Sequence, residues 1–295
     1  MQLEDFKYFN ELYIKKSFTK VAQYYGVSQP SISSALKRLE NFFGMKLVIR
    51  GTAQSQLTFT PAGEQLYQHA IALLTEVSSA QHELNHLKTH MTTIGLPPIL
   101  KGAYFAKIAV ATKQFDQQFN INNMSIYESG SNNLKKALID GDIDIALLGS
   151  LNQSQEKDLL IMPFIQSNFC VYISKKNDLA QKKEIFFSEL KEQQFVSLDS
   201  SFIHNQAIRE MSSQAGFRPN YFMKTNDINF LMNLVGENLG VAILTNIVKP
   251  TSSDIIVLPL LDKVQPSFIG SVAFRKNHVL TKEEEMLVET LSQET

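Results

Sequence analysis

Leu66, Ala70, Leu73, Val77, Ala80, Leu84 and Leu87 follow one another at steps of four, three, four, three, four and three. Only an α-helix brings such a series onto one line, and a seam held for about three heptads is what a two-stranded coiled coil requires. The spacing therefore predicts one long helix over residues 61–88, pairing with a second copy of the chain. The small Ala70 and Ala80 permit close approach of two helices. Packing of the same face against the chain's own body is the alternative. The helix also divides the chain. It leaves about sixty residues before it and about two hundred after it, lengths suited to one small and one larger unit. The polar stretch from Lys88 to Thr93 reads as a hinge, set at 89–93.

The leading segment shows three short helical patterns. Leu3, Phe6, Phe9 and Tyr13 form one apolar stripe. Ser17 opens a second helix, with capping expected through Gln23 or Tyr24 and with Phe18, Val21 and Ala22 turned inward. Gly26 supplies a turn, Val27 plugs the corner, and Ser28 caps a third helix whose first turn holds Pro30. Ile32, Ala35, Leu36, Leu39 and Phe43 make its buried face. On the other side, Gln29, Ser33 and Lys37 form one row; Pro30, Ser34, Arg38 and Asn41 form the next. Small hydrogen-bonding groups near the helix start, with cations farther along, suit a helix lying in the major groove of DNA. An ordinary solvated face is the plainer reading. The extended stretch Lys46 to Thr60 predicts two strands around a polar tip, a wing that carries Arg50 to phosphate or minor groove. Charge agrees: residues 1–60 hold eight cations and four anions, a net of +4, while the other 235 residues hold 20 cations and 25 anions, a net of −5.

Residues 17–63 resemble the winged helix-turn-helix of LysR-type transcriptional regulators. The marks are Ser17-Phe18-Thr19, Ala22, the run Val27 to Ser33, Leu36, Leu39-Glu40, Gly44, Leu47, Arg50 and Thr60-Pro61-Ala62-Gly63. Two positions depart from the family pattern: Val48, where Phe is usual, and Ser34, where a basic residue is common. The resemblance implies DNA contacts from Phe18, Thr19, Gln29, Pro30, Ser31, Ser33, Ser34, Lys37, Arg38 and Arg50. It implies that the long helix pairs two heads on a roughly palindromic double-stranded operator, with a dimer of dimers as the assembly and RNA polymerase as a partner if the protein activates.

From Thr93 the pattern becomes an alternation of strands and helices. Strands are expected at 94–96, 124–127, 143–148, 169–174, 195–198, 255–260 and 271–275. Helices are expected at 103–119, 132–139, 206–215, 230–240 and 282–291. This alternation predicts a mostly parallel sheet. Leu138 to Leu147 and Gly236 to Leu244 also resemble recurring segments of the same family. The implied fold is a two-subdomain α/β effector domain over 94–295, like periplasmic solute-binding proteins. Subdomain I covers about 94–163 and 268–295, and subdomain II about 167–265. The chain crosses over near 163–168 and returns near 265–271. A cleft at the strand ends would take a small effector. Its candidate residues are Leu96, Pro97, Pro98, Ser129, Gly130, Ser131, Ser201, Phe202, His204, Asn226 and Asp227, with Ser200 and Thr225 beside them. Helix capping by the same Ser, Asn and Asp residues is the plainer alternative. The family often has Ser or Thr where Pro97 and Pro98 stand.

Other chemistry is thinly supported. One cysteine, Cys170, excludes an intramolecular disulfide framework, and it lies in an apolar run that suits core packing better than nucleophilic attack. Asp140, Asp142 and Asp144 around Gly141 lack the later acidic ligand of a calcium loop. There is no G-x-S-x-G, no phosphate-binding glycine loop and no H-E-x-x-H. No apolar run approaches the roughly 18–20 residues that span a bilayer, and the start MQLEDFKYFN does not read as a signal peptide. The expectation is a cytoplasmic, non-enzymatic, cofactor-free regulator that answers to a small molecule, an organic acid by family resemblance. Malate, from a resemblance to malolactic-pathway regulators, is one candidate and rests on no residue. A solute-sensing module whose head mediates protein assembly is the rival reading.

Overall fold

The computed structural model describes residues 1–49, 57–89, 91–115, 123–153 and 156–293. It divides into two compact units, Met1–His82 and Glu83–Thr295.

The first unit holds α1 (Leu3–Lys15), α2 (Phe18–Tyr25), α3 (Gln29–Phe43), β1 (Val48–Ile49) and β2 (Thr58–Phe59), and most of α4 (Pro61–Thr89). Local chemistry sets each boundary. Ser17 Oγ accepts from the Lys20 backbone N–H at 3.3 Å, and Ser28 Oγ from that of Ser31 at 3.3 Å. The expected capping of Ser17 through Gln23 or Tyr24 is thus corrected: an N-cap oxygen reaches only the second or third residue inside the helix. Gly26 and Gly44 end α2 and α3 at φ +65° and +66°, where a side chain would be strained. Phe6, Phe9 and Leu12 of α1 meet Val21 and Ala22 of α2 and Ile32, Leu36 and Leu39 of α3 in one core. Phe43, expected inside, is exposed with its neighbour Phe42. Val48 is buried and pairs with Phe59, so the smaller residue still serves the core.

The start of α4 closes this unit. Thr60 donates its hydroxyl to the Lys46 carbonyl at 2.6 Å and accepts the Gly63 N–H at 3.0 Å. Gly63 lies so close to the wing that a Cβ there would stand 2.1 Å from the Leu47 carbonyl oxygen. Leu66 and Ala70 are buried in the head's own core. That corrects their expected place in an intermolecular seam, because a side chain already covered by its own chain offers nothing to a partner.

The second unit runs β3 (Thr92–Leu96), α5 (Pro98–Phe115), β4 (Met124–Glu128), α6 (Ser131–Asp140), β5 (Ile145–Ser150), β6 (Leu159–Ser174), β7 (Gln194–Leu198), α7 (Ile203–Ala215), β8 (Asn220–Thr225), α8 (Ile228–Gly236), β9 (Ala242–Thr245), β10 (Ile255–Pro259), β11 (Ser267–Arg275) and α9 (Lys282–Ser292). The large sheet has the order β10-β6-β11-β5-β3-β4, with β9 also on β6. β3 runs parallel to β4 and β5, but β6 and β11 run antiparallel to every partner they have here. The sheet is therefore mixed and not mostly parallel. A strand that crosses between two subdomains and a strand that returns must run in opposite directions. The expected crossing segment 163–168 lies within β6, and of the expected return segment 265–271 residues 267–271 lie on β11. β7 and β8 form a separate parallel pair. The α5 helix begins at Pro98, five residues before the expected start, because proline is well placed in a first turn; the far end of that expectation, 116–119, lies outside the described residues.

Candidate functional site

The outer face of α3 is the first candidate. Gln29, Pro30, Ser31, Ser34 and Lys37 are exposed, Ser33 is half-buried, and Thr19 of α2 is exposed as well. Phe18 packs partly onto the head core. Ser31 also shares a hydroxyl contact with the cap, its Oγ lying 2.8 Å from that of Ser28. Arg50 lies outside the described residues. The face offers amide and hydroxyl groups toward the helix start and an ammonium one turn on, the set that reads base edges and neutralises phosphate.

Arg38 is differently engaged. Its Nε donates to both oxygens of Asp5 at 3.2 and 3.0 Å, and its Nη2 to Asp5 at 2.5 Å. Burial alone would raise the Asp5 carboxyl; the Arg38 guanidinium and the Gln2 N–H hold it below its ordinary range. The pair joins the first turn of α1 to α3, so Arg38 positions the reading helix whatever else it touches. Glu40 does similar work at the other end. Its carboxylate accepts from Lys46 Nζ at 2.7 Å and from the Leu47 N–H at 3.1 Å, fastening α3 to the wing. Sequence reasoning assigned neither Asp5 nor Glu40 a role in the site.

Along α4, Leu73 and Leu84 are exposed apolar side chains at 37% and 66%, Ala80 is exposed and Val77 is half-buried. The Leu87 side chain lies outside what the structure describes. Of the predicted seam residues whose side chains are described, Leu73, Val77, Ala80 and Leu84 are the ones not buried in the chain itself.

In the second unit the predicted cleft residues do not form one wall. Leu96 and Pro97 are buried beneath the end of β3. Ser129 Oγ accepts from Asn133 Nδ2 at 3.1 Å. Ser131 Oγ accepts the Gly149 N–H at 2.8 Å. Asp227 caps α8, accepting from Asn229 and Phe230 at 2.8 and 3.1 Å, and Asn226 is exposed. Capping, the plainer alternative, thus accounts for Asp227. The two subdomains touch where Gly130 meets Ser201: a Cβ at Gly130 would stand 2.3 Å from the Ser201 carbonyl oxygen. Ser201 is turned to Asp199, which accepts from its N–H and hydroxyl at 2.8 and 2.6 Å. Phe202 is buried. His204 is buried between the rings of Phe169 and Phe268, at 5.5 and 5.9 Å, with neither ring nitrogen hydrogen-bonded. Burial pushes its pKa down to about 3, so it is neutral at any working pH.

A cavity of about 480 Å³ opens elsewhere, between α5 and α8. Pro98, Ile99, Ala103 and Tyr104 form one side, and Ile228, Met232, Ile247 and Val248 the other. Asn229, Asn246 and Thr251 supply polar groups, and Lys107 and Lys249 supply positive charge. Of the predicted cleft residues, only Pro98 lines it. Asn246 is held by the Ser167 hydroxyl of β6, which donates to its Oδ1 at 2.5 Å. The cavity has the size and the apolar lining of a small-molecule site, and its charged groups are cationic. The signal that could have found it is the run Asn246 to Thr251, which follows β9 and carries Lys249 among apolar residues.

Comparison with known proteins matches both units. Residues 3–64 fit the description "Bacterial regulatory helix-turn-helix protein, lysR family", and residues 93–295 fit "LysR substrate binding domain". The malolactic fermentation system transcriptional activator of Lactococcus lactis is 28% identical over 292 residues, covering 99% of this chain and 98% of that one. Among solved structures, OxyR of Corynebacterium glutamicum superposes with a TM-score of 0.58 at 22% identity, covering 99% of this chain and 92% of that one. The effector-binding domain of QuiR, solved in complex with shikimate, gives a TM-score of 0.59 at 12% identity over 68% of this chain and 95% of that one. Among the described residues, no helix is long and apolar enough to cross a membrane.

Proposed function

The chain belongs to the LysR family of transcriptional regulators, with a helix-turn-helix DNA-binding head and an effector-binding body, and from that premise we propose how each part works. The α3 helix enters the major groove of a double-stranded operator. Gln29, Ser33 and Ser34 meet base edges there, while Lys37 and the wing's Arg50 meet phosphate. Phe18, Thr19, Pro30 and Ser31 set the depth of the helix. Arg38 holds it in place through Asp5. The observation that carries this reading is the exposed polar row of α3 on a helix whose opposite face is locked into the head core.

The working division is a head at 1–60, a linker helix at 61–88, a hinge at 89–93 and a body at 94–295. Two chains pair along Leu73, Val77, Ala80 and Leu84. Bodies associate further into a dimer of dimers, and an activating form would contact RNA polymerase. The protein works in the cytoplasm without catalysing a reaction. Its effector is an organic acid. Support comes from the cavity between α5 and α8, where Lys107 and Lys249 stand over an apolar lining. The shikimate bound to QuiR is itself a carboxylic acid. Malate remains a candidate through the relative in the malolactic fermentation system. The Gly130–Ser201 contact is the seam that closes as the subdomains come together, with Ser131, Phe202 and His204 behind it. An effector acts only if it binds the two arrangements unequally.

Purified full-length protein incubated with sheared DNA of its source, washed at moderate salt and sequenced, tests the head. A few enriched fragments sharing an interrupted palindrome are expected. Equal retention of all fragments, or of none, would return the head to the assembly reading.

A further inference from the structure

We propose that Arg275 and His278 clamp Glu83, and through it the end of α4, onto the effector body, and that this clamp is a proton-sensitive release for the linker helix. Its regulatory meaning rests on α4 being that linker; the fastening itself does not. Arg275 ends β11 and is almost wholly buried. Its Nη1 donates to the carbonyls of Leu138 and Ile143 at 2.9 and 2.7 Å, at the end of α6 and the turn into β5. One edge of the guanidinium is thus spent on backbone carbonyls, of which Leu138 also accepts the Gly141 N–H at 3.2 Å. The other edge faces Glu83, with Nη2 at 2.9 Å and Nε at 3.4 Å. Asp144 lies 4.0 Å from the same Nη2 and accepts the Thr93 N–H at 2.7 Å.

His278 completes the clamp. Its Nδ1 is 3.1 Å from Glu83 and its Nε2 is 2.9 Å from Glu284. Glu284 is itself fixed, accepting from the Thr281 N–H at 2.8 Å in the capping box that Thr281, the N-cap, opens for α9. A ring bridging two carboxylates needs both nitrogens protonated, because a neutral imidazole has one N–H and would turn a lone pair toward the second carboxylate. The charged groups facing the ring come from every element around it: Glu83 on α4, Glu284 on α9, Arg275 on β11 and Asp144 ahead of β5. Burial pushes His278 down and Arg275 opposes its charge, but Glu284 and Glu83 more than offset both and hold it above its ordinary value. Burial would raise Glu83; Arg275 and His278 hold it below its ordinary range. Asp144, His278 and Glu284 offer ligand atoms within 4.8 Å of one another. A metal there would have to strip the ring of a proton beside a guanidinium, so the group is better suited to ion pairing.

The clamp shares a strand with the seam. β11 begins near Phe268, which stands beside His204 and Gly149, and ends at Arg275. Seven residues of strand span about 23 Å. A shift of the subdomains at one end is therefore felt at the other. The sign of the pH effect follows. The His278 part is complete below the ordinary histidine value and is lost as pH rises through the raised one. The Glu83 part is complete above the ordinary glutamate value and is lost as pH falls through the lowered one.

Hydrogen exchange of the full-length protein, read on peptides covering residues 80–89 and corrected for intrinsic rates, tests this. Glu83→Gln should exchange there about tenfold faster at neutral pH, with α9 and β5 unchanged. The wild type should approach that rate as pH rises through the His278 titration, and Glu83→Gln should show no such step. Equal protection in both proteins, or a wild type without the step, overturns the clamp. If Glu83→Gln fails to fold, Glu83→Asp, which keeps the charge but falls short of Arg275, is read the same way. DNA retention by the wild type tests the regulator reading and exchange over residues 80–89 tests the clamp, so failure of one and failure of the other remain distinguishable.

Discussion

In the head, the polar residues picked from the sequence stay on the outside. In the body, most of the polar residues picked the same way turn inward or serve as caps. Gln29, Ser31, Ser34 and Lys37 of α3 are exposed. Ser131 is spent on Gly149, Asp227 on the start of α8, and His204 on a place between two phenylalanine rings. The difference follows from where a ligand meets each unit. DNA approaches a convex surface, and one helix with a known inner face defines its outer face. A small molecule goes between pieces of the fold, and only their assembly says which residues line the gap.

The largest test of this contrast is Gly63→Ala. The added methyl meets a backbone oxygen, which cannot move aside cheaply, so the head should lose about 3 kcal/mol or more. Calorimetry should show the head transition falling while the body transition stays. A head that melts as before would mean that α4 does not press on the wing as described. Next is Leu73→Asp. This side chain is exposed on the single chain, so folding should survive. Operator affinity should drop by roughly 100-fold as paired heads become independent. Sedimentation and gel-shift titration report the two effects, and a variant that still forms normally binding dimers would break the seam.

His204→Phe probes the inward side. The folded protein keeps this imidazole neutral down to about pH 3, while the unfolded chain takes up a proton below about pH 6.5. The body should therefore lose about 1.4 kcal/mol per pH unit through this group as pH falls below that value. Denaturant melts between neutral and mildly acid pH should show a shallower fall in His204→Phe; an unchanged slope would show that the ring is not sealed from water. The smallest effects separate α3 residues from one another. Lys37→Ala should weaken binding to all DNA by about 1 kcal/mol and reduce the salt slope by about one. Ser34→Ala should instead alter base preference, by about 1 kcal/mol at one position. If both variants lose affinity for every sequence alike, α3 grips DNA without reading it.

Legibility in the sequence tracked distance along the chain. The helices of the head, their serine and glycine ends and the outward row of α3 repeat within three or four residues, and the structure has them. The α4 helix was legible for the same reason, but which of its apolar residues stay open was not: Leu66 and Ala70 share the spacing of Leu73 and Val77 and differ only in what lies over them. In the body, helix and strand types were mostly readable. The short strands β8 and β9 and the direction of β6 against β11 were not, since a strand's partner is not encoded in its own period.

The sequence by itself determined a head, a long helix and an alternating α/β body, because hydrophobic period, capping and turn chemistry act between near neighbours. It also carried the family, through an ordered run of residues from Ser17 to Gly63. Tertiary structure alone decided that Arg38 binds Asp5, 33 positions away, and that Arg275 reaches Glu83 across 192. It decided that His204 is sealed among rings and that the cavity lies between α5 and α8. Such pairings leave no local trace, since each residue type would look the same facing water. They exist only once burial has taken the water away and left a charge or a lone pair to be met by whatever the fold brings beside it.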